Sequence, residues 1–281
     1  MNPVFSAPLP AGLDSLLTSQ PEQGPVDAAP VSFSADGVDF GGFLARPADT
    51  TPATTVADAP ATTSHAGPAD TLLPAVLVFS DWTGLNDHSR VRATMLARLG
   101  YIALAGDIYG GGVELSQQEA PQRAGSFYGD PALFRSRVQA DLDYLRSLPG
   151  VDPARIAVMG YCFGGSASLE LARSGADVAG VVVFHGGLST GIPAAPGQIR
   201  GSVLVLTGAS DPVVPDDAVV AFENELRHAE VDDWQIVSYS GAMHAFSLPG
   251  TDAPDHGALF DARANARSWI AMKAFFAELF A

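Results

Sequence analysis

Residues 155–166 read R-I-A-V-M-G-Y-C-F-G-G-S, a short apolar run followed by a turn that contains Cys162, the only cysteine of the chain. Gly160 and Gly164 lie two positions before and after it. This Gly-x-nucleophile-x-Gly spacing is typical of a nucleophile elbow, a sharp strand-to-helix turn that lifts one side chain above a parallel sheet. A lone cysteine after a strand also fits a small buried side chain. The flanking glycines, which a plain strand-to-helix loop does not need, favour a catalytic cysteine.

Two polar residues follow Cys162 at the ends of apolar segments. Asp211 comes after the run Val203–Leu206, where a parallel strand delivers a side chain to the carboxyl edge of its sheet. His244 lies in the loop after a predicted strand over Gln235–Tyr239. The chain order nucleophile, acid, histidine is that of α/β-hydrolases and differs from the orders in two unrelated protease folds. The sequence therefore predicts a triad in which His244 is the base and Asp211 orients it.

Five ordered motifs resemble the dienelactone hydrolase family. They are D-W-T-G-L-N-D-H at 81–88, G-Y-I-A-L-A-G-D-I-Y-G at 100–110, G-Y-C-F-G-G at 160–165, G-A-S-D-P-V-V-P at 208–215 and G-A-M-H-A-F at 241–246. The resemblance runs from about Val31 to the C-terminus and implies a Cys-His-Asp triad that hydrolyses a lactone or ester through an acyl-cysteine. It also implies that the backbone N–H groups of Trp82 and Phe163 form the oxyanion hole.

Two positions depart from the family's pattern. The family member that gives the family its name has a glutamate at the start of its oxyanion loop. The resemblance implies that this carboxylate handles the thiol proton in the resting enzyme. The matching residue in this chain is Asp81. The family has an arginine four residues after the catalytic histidine, and Leu248 stands at that position here. A second family arginine lies four residues before an aromatic residue, as Arg123 lies before Phe127. The candidate substrate contacts are therefore Arg123, Phe127, Tyr128 and Leu248. The expected substrate is a neutral or weakly polar ester or lactone and not an anionic dienelactone, because a buried carboxylate needs a cationic partner.

Composition favours an enzyme that acts on a small molecule. At 281 residues and 47% hydrophobic, the chain can bury one substantial core. A net charge of -16, with Lys273 as the only lysine, argues against binding to nucleic acid or an anionic membrane surface. One cysteine and six scattered histidines provide neither an intramolecular disulfide nor metal-ligand spacing, so no metal and no cofactor are expected.

The chain carries no targeting or membrane-spanning segment that we recognise. Residues 1–30 lack the basic n-region and the uninterrupted apolar h-region of a secretory signal, so we expect none there. No stretch reaches the roughly 18 to 20 consecutive apolar residues of a membrane span. We expect a cytoplasmic protein, monomeric or homodimeric. Residues 1–30 are predicted to form an N-terminal arm that lies over the domain or is disordered. Residues 47–74, rich in Thr, Ala and Pro and containing His65, are predicted to be a low-complexity surface loop outside the active site.

The rest of the chain, residues 31–281, alternates predicted strands and helices. An opening hairpin turns at Asp36-Gly37, because D-G between alternating apolar residues is a strong turn signal. Further strands are predicted at Ala75–Ser80, Ile102–Ala105, Ile156–Met159, Val178–Phe184, Val203–Leu206 and Gln235–Tyr239, with helices over about His88–Leu99, Pro131–Leu148, from the elbow to Arg173, Asp216–His228 and Ala264–Phe280. This alternation predicts one α/β-hydrolase domain, with a mainly parallel twisted sheet and helices on both faces.

Three classes of function stay open at this point. An ester or lactone hydrolase is favoured by the intact triad pattern. A non-catalytic binding or regulatory protein on a hydrolase scaffold is the alternative, because a fold does not fix a function. A thiol redox protein is the third class, although a second, resolving cysteine is missing. His185 and His88 are rivals for the role of base, and the aromatic candidates for pocket walls are Tyr109, Phe127, Tyr128 and Phe246, with Tyr161 beside the elbow.

Overall fold

The structure is a computed structural model and describes residues 5, 8–19, 24–48 and 72–281. Its helices are α1 (Ala11–Thr18), α2 (Asp87–Arg98), α3 (Ala120–Tyr128), α4 (Pro131–Ser147), α5 (Phe163–Arg173), α6 (Asp216–His228) and α7 (Ala262–Leu279). Its strands are β1 (Val26–Ala35), β2 (Val38–Pro47), β3 (Leu73–Phe79), β4 (Ile102–Ala105), β5 (Val151–Tyr161), β6 (Gly180–Phe184), β7 (Ser202–Gly208), β8 (Trp234–Tyr239), β9 (Asp252–Ala253) and β10 (Ala258–Leu259).

Eight strands form one sheet in the order β1-β2-β4-β3-β5-β6-β7-β8. The first two form the hairpin predicted around Asp36-Gly37, and β2 pairs antiparallel with β4. All the other pairs, from β4 to β8, are parallel. The chain therefore has the mainly parallel sheet of an α/β-hydrolase fold, as the sequence predicted.

The inner strands are continuous apolar runs because helices cover both faces of the sheet. One face carries α3, α4, α5 and α6, whose apolar side chains pack on β3, β5, β6 and β7. The other face carries α1, α2 and α7, which pack on the same sheet through a second apolar cluster. The carboxyl ends of the parallel strands are therefore left as the open edge where loops can assemble a site.

A buried carboxylate fixes the loop after β4 against the opening hairpin. Asp107 accepts hydrogen bonds from the backbone N–H groups of Gly41 at 2.9 Å, Gly110 at 3.0 Å and Gly112 at 2.6 Å. Its own N–H donates to the carboxyl group of Asp141, and burial raises the pKa of Asp141 well above its usual range. The G-D-I-Y-G motif thus holds the backbone around Tyr109 in one place.

The N-terminal region contains a helix that the sequence did not predict. Ala11–Thr18 is helical, with Leu13, Leu16 and Leu17 buried against the second cluster, and β1 begins at Val26, before the domain boundary placed at residue 31. Helix α3 was also not predicted. Both helices are short, and they are stabilised by tertiary packing more than by local propensity.

The low-complexity segment 47–74 lies mostly outside the described residues, which stop at 48 and resume at 72. The prediction that it stays out of the active site, and His65 with it, is not addressed by the structure. In the part of the chain that the structure describes, no helix is long and apolar enough to cross a membrane.

Leu17→Ala should lower the free energy of unfolding by about 2–4 kcal/mol, because the side chain is fully buried and its removal leaves a cavity. Ser15→Ala, on the exposed side of the same helix, should change it by less than about 0.5 kcal/mol. Denaturant unfolding of both variants measures the difference. Equal stability of the two variants would show that α1 does not contribute to the fold.

Candidate active site

Cys162 occupies the turn between β5 and α5 in a left-handed backbone conformation, with φ 51° and ψ −115°. Its N–H donates to the carbonyl of Phe184 on the neighbouring strand at 3.0 Å, and its carbonyl accepts from Gly165 at 2.9 Å and Ser166 at 3.2 Å. A non-glycine residue adopts this conformation at an energetic cost, which is characteristic of functional sites. The side chain is thereby held at the N-terminus of α5, above the carboxyl edge of the sheet.

The glycines around Cys162 allow backbone to pack directly on backbone. A Cβ atom on Gly160 would overlap the carbonyl of Gly164, and a Cβ on Gly164 would overlap the carbonyls at the end of β3. A Cβ on Gly165 would lie 2.9 Å from the Cα of Gly186. The first turn of α5 therefore needs residues without side chains at these places.

His244 and Asp211 reach Cys162 from the neighbouring loops. His244 Nε2 lies 3.1 Å from Cys162 Sγ, and His244 Nδ1 lies 2.9 Å from Asp211 Oδ2. The other carboxylate oxygen of Asp211 accepts hydrogen bonds from the N–H groups of Val213 at 2.8 Å and Val214 at 3.3 Å. The structure thus brings the three residues into one hydrogen-bonded chain, with the carboxylate fixed from behind.

Electrostatics favour the protonated form of His244. Burial lowers its pKa, but the hydrogen bonds to Asp211 and Cys162 and the charges of both partners outweigh burial and raise the pKa to about 10. A histidine with this pKa holds its proton near neutrality. It can therefore sit beside a thiolate and later give the proton away.

The backbone amides of Trp82 and Phe163, at the same edge, are among those that donate no hydrogen bond within the described residues. The register of the sheet explains their proximity, because Phe79 on β3 pairs with Gly160 on β5 and each amide follows three residues later. Tyr109 links the two segments. Its hydroxyl donates to the carbonyl of Trp82 at 2.8 Å, and its ring stacks on Phe163 at 5.5 Å.

An open cleft of about 350 Å³ adjoins the elbow. Ser166, one helical turn after Cys162, lies on its wall and hydrogen-bonds to the Tyr128 hydroxyl at 3.1 Å and to the Gly187 carbonyl at 3.0 Å. Further lining residues are Phe127, Pro131, Phe134, Glu170, Ser189, Thr190, Gly191 and Val213. The cleft combines aromatic and apolar side chains with hydroxyl groups and one carboxylate, and the Ser166 hydroxyl lies one helical turn from Cys162.

Comparison with known proteins identifies the family. Residues 62–280 match the model of the dienelactone hydrolase family. The chain belongs to the dienelactone hydrolase family. The structure named m3DLH shares 38% identity at a TM-score of 0.80, over 92% of this chain and all of that one.

Two further relatives are similar over most of their length. A dienelactone hydrolase-like promiscuous phosphotriesterase from metagenomic libraries has a TM-score of 0.77 and 36% identity, over 91% of this chain and 99% of that one. The Synechocystis protein named "Putative carboxymethylenebutenolidase" is 29% identical over 72% of this chain and 85% of its own. The chain is therefore a hydrolase of the dienelactone hydrolase family.

Asp81 is held inside the loop that carries Trp82. Its Oδ1 accepts from the N–H of Thr83 at 2.8 Å and from the Thr83 hydroxyl at 2.6 Å, and its Oδ2 accepts from Asn86 Nδ2 at 3.1 Å. All these contacts lie within the loop. Asp81, at the family's glutamate position, thus stabilises the loop through its side chain. Its shorter carboxylate can make these hydrogen bonds without contacting the thiol.

The two arginine positions of the dienelactone hydrolase family have different surroundings. Arg123 donates to the carbonyl of Tyr109 at 3.1 Å and lies over the rings of Tyr109 and Phe127, at 5.7 and 5.8 Å. Leu248 packs with the cluster on the α1, α2 and α7 face of the sheet, whereas the cleft is on the face of α3 to α6. Of the four predicted substrate contacts, the structure places Phe127 and Tyr128 in the cleft wall, Arg123 behind it and Leu248 away from it.

The rival histidines are buried and belong to a different set of contacts. His88 accepts a hydrogen bond from Arg92 Nε at 3.2 Å, and His185 shares a hydrogen bond of 2.7 Å with the Ser247 hydroxyl. Neither is placed against Cys162 as His244 is. Within the described residues, no group of three or more His, Cys, Asp or Glu side chains is placed to hold a metal ion.

Sequence reasoning missed the contacts of Ser166, Tyr109 and Ser247. The hydroxyl of Ser166 joins the elbow to the cleft, and its position four residues after Cys162 is a signal that could have found it. The hydrogen bond from Tyr109 to Trp82 joins residues 27 positions apart, and the one between Ser247 and His185 joins residues 62 positions apart. Local sequence patterns cannot predict contacts at such separations.

Gly164→Ala should lower the free energy of unfolding by roughly 2 kcal/mol or more, because its Cβ would overlap backbone carbonyls that cannot move independently. Gly125→Ala is the matched control, since its Cβ meets nothing within 4 Å and alanine favours a helix. Thermal or urea unfolding compares the two. If Gly164→Ala were as stable as Gly125→Ala, the close packing of α5 on the strand ends would not constrain the elbow.

Proposed function

We propose that this protein is a cysteine-dependent hydrolase of neutral or weakly polar carboxylic esters or lactones, acting through an acyl-cysteine. The observation that carries the proposal is the chain of hydrogen bonds from Cys162 Sγ through His244 to Asp211 at the edge of the sheet. Family membership supports a hydrolase, and the two unpartnered amides beside Cys162 support acyl transfer.

The proposed reaction begins with the thiolate of Cys162 and the imidazolium of His244. Sulfur attacks the carbonyl carbon, and the N–H groups of Trp82 and Phe163 bind the oxyanion, an interaction of a kind typically worth about 10²–10³ in rate. Collapse of the tetrahedral intermediate breaks the ester C–O bond, and the leaving alkoxide takes the proton from His244. Asp211 keeps the imidazole ring in the orientation that both steps require.

Deacylation reverses the same proton transfers. Neutral His244 removes a proton from water, and the resulting hydroxide attacks the acyl carbon. The C–S bond then breaks, the acid is released, and the thiolate and imidazolium are restored. A lactone yields one ring-opened product because its alkoxide and acyl group belong to the same molecule.

The charges around the cleft support a neutral substrate. Glu170, on the cleft wall, pairs with Arg135 at 2.8 Å and with Arg173 at 3.1 Å, and Arg173 also pairs with Glu225 at 2.7 Å. These cations are therefore compensated within the protein. A bound carboxylate would have to compete with fixed carboxylates for them.

Replacement of the proposed triad tests the mechanism. Cys162→Ala and His244→Ala should each reduce kcat/KM for p-nitrophenyl acetate by roughly 10⁴-fold or more, and Asp211→Asn should be about 10 to 100 times less severe. Cys162→Ser should retain only a trace, because a hydroxyl needs a stronger base. His228→Ala changes an exposed histidine at the end of α6 and should leave turnover unchanged.

The same proteins separate the other function classes. Intact-mass measurement should detect an acyl adduct on the wild type after rapid quenching, and none on Cys162→Ala. Wild-type turnover no greater than that of Cys162→Ala would support a binding or regulatory protein, and consumption of peroxide with no ester turnover would support a thiol redox protein. Paraoxon belongs in the substrate panel because one relative is described as a promiscuous phosphotriesterase.

The wild type should prefer a neutral lactone over a carboxylate-bearing lactone of similar size. We expect kcat/KM to be at least about tenfold higher for the neutral compound, which is about 1.4 kcal/mol in transition-state terms. Competition between the two compounds, followed by chromatography, measures the ratio. A tenfold preference for the anionic lactone would mean that a cation such as Arg123 turns into the cleft and serves the substrate.

A further inference from the structure

Three non-glycine residues near the proposed site have left-handed backbone conformations. They are Cys162 with φ 51°, His185 with φ 41° and Ala245 with φ 57°. Such strain persists only where the surrounding structure enforces it, and it is concentrated at functional sites. Cys162 is the proposed nucleophile and Ala245 follows the proposed base, but His185 has no part in the mechanism above. Its strain therefore needs a separate explanation.

His185 lies directly behind the base. It follows the last residue of β6, is fully buried, and packs its ring against the ring of His244 with centroids 5.4 Å apart and planes at 69°. Its Nε2 is 2.7 Å from the hydroxyl of Ser247, which is also fully buried. Because Ser247 is three residues after His244, this hydrogen bond fixes one end of the short segment that carries the base, and the ring contact lies at the other end.

Ser247 is held from its other side by an arginine in the core. Arg92 on α2 is 1% exposed and donates from Nη2 to the carbonyl of Ser247 at 3.2 Å and to Asn265 Oδ1 at 2.6 Å. It also lies over the rings of Tyr161 and Trp269, at 5.4 and 4.9 Å. The side-chain partners of this guanidinium are uncharged among the described residues, an arrangement that costs more than pairing with an acid.

We propose that His185 is a positioning residue for the base, acting through its hydrogen bond to Ser247, with Arg92 as the support that fixes the Ser247 carbonyl. The contact of the two imidazole rings and the Ser247 link together keep His244 Nε2 directed at Cys162. This inference rests on the proposed function, because it concerns the base of that reaction.

His185 suits this role because it stays uncharged. Burial lowers its pKa well below the usual range, and His244, His88 and Arg92 lower it further. The groups that face it are His244 and Ser247 from the loop after β8, His88 and Arg92 from α2, and Tyr161 from the end of β5. A second imidazole that does not take up a proton can support the imidazolium of His244 without competing for the thiol proton.

The single cysteine allows a test that does not depend on any substrate. Alkylation by iodoacetamide reports the thiolate of Cys162 alone. In Ser247→Ala, we expect the alkylation rate at pH 6 to fall at least about fivefold while the rate at pH 10 stays within twofold of wild type, because a loosened His244 stabilises the thiolate less. The kcat for p-nitrophenyl acetate should fall about tenfold with KM little changed.

Ser268→Ala is the matched control. Ser268 on α7 is equally buried and also makes one hydrogen bond, to the carbonyl of Asn265 at 2.9 Å. A lower melting temperature is expected in both variants, but a change in alkylation and kcat only in Ser247→Ala. His185→Gln keeps an amide able to bond Ser247 and should retain clearly more alkylation at pH 6 and more kcat than His185→Leu, which should behave as Ser247→Ala does.

The outcomes distinguish the two proposals. If the wild type hydrolyses esters and Ser247→Ala matches Ser268→Ala in alkylation and kcat, the positioning role is wrong and the proposed function stands. If the wild type hydrolyses no ester but alkylation at pH 6 falls as described, the positioning role stands and the proposed function is wrong. His185→Leu with wild-type alkylation at pH 6 would also overturn the positioning role.

Discussion

Direct contact between the start of α5 and the ends of β3 and β5 is the constraint on which the site depends. The glycines at 160, 164 and 165 bring backbone to within van der Waals distance of backbone. That approach fixes the position of Cys162 and leaves the N–H of Phe163 at the carboxyl edge of the sheet, where the amide of Trp82 also lies. Any side chain at the contact would separate the helix from the sheet, and Cys162 would move away from His244.

Buried arginines on the two faces of the sheet have different kinds of partner. Beneath the cleft, Arg173 and Glu170 form part of a compensated ion-pair network that also holds the segment after β6, through the carbonyl of Leu188. On the opposite face, Arg92 is stabilised by neutral oxygen atoms and aromatic rings. The compensated network adds no unpaired charge beneath the cleft, whereas the charge of Arg92 is balanced by hydrogen bonds and ring contacts alone among the described residues.

The sequence predicted the fold class because apolar runs of strand length alternate with helical patterns. It predicted the relative placement of Cys162, Asp211 and His244 because each follows a parallel strand, and the carboxyl ends of parallel strands meet at one edge of the sheet. Most predicted elements agree with the structure, and the span Asp216–His228 is identical. It did not predict α1 or α3, whose stability comes from packing. It also could not place Leu248 on the far face or connect Arg92 to Ser247, 155 residues away, since such contacts depend on the complete fold.

The opening hairpin returns the chain to the edge of the sheet that is opposite to Cys162. Because β2 runs antiparallel to β4, its last residue, Pro47, lies at the amino edge, where β3 begins at Leu73. Seven residues of β3 separate that edge from the loop that carries Trp82, a distance of about 20 Å. An affinity handle attached at Ala48 or Leu72, the described residues on either side of this connection, would therefore start from the side of the sheet opposite to Cys162 and leave the carboxyl edge clear of the attachment point.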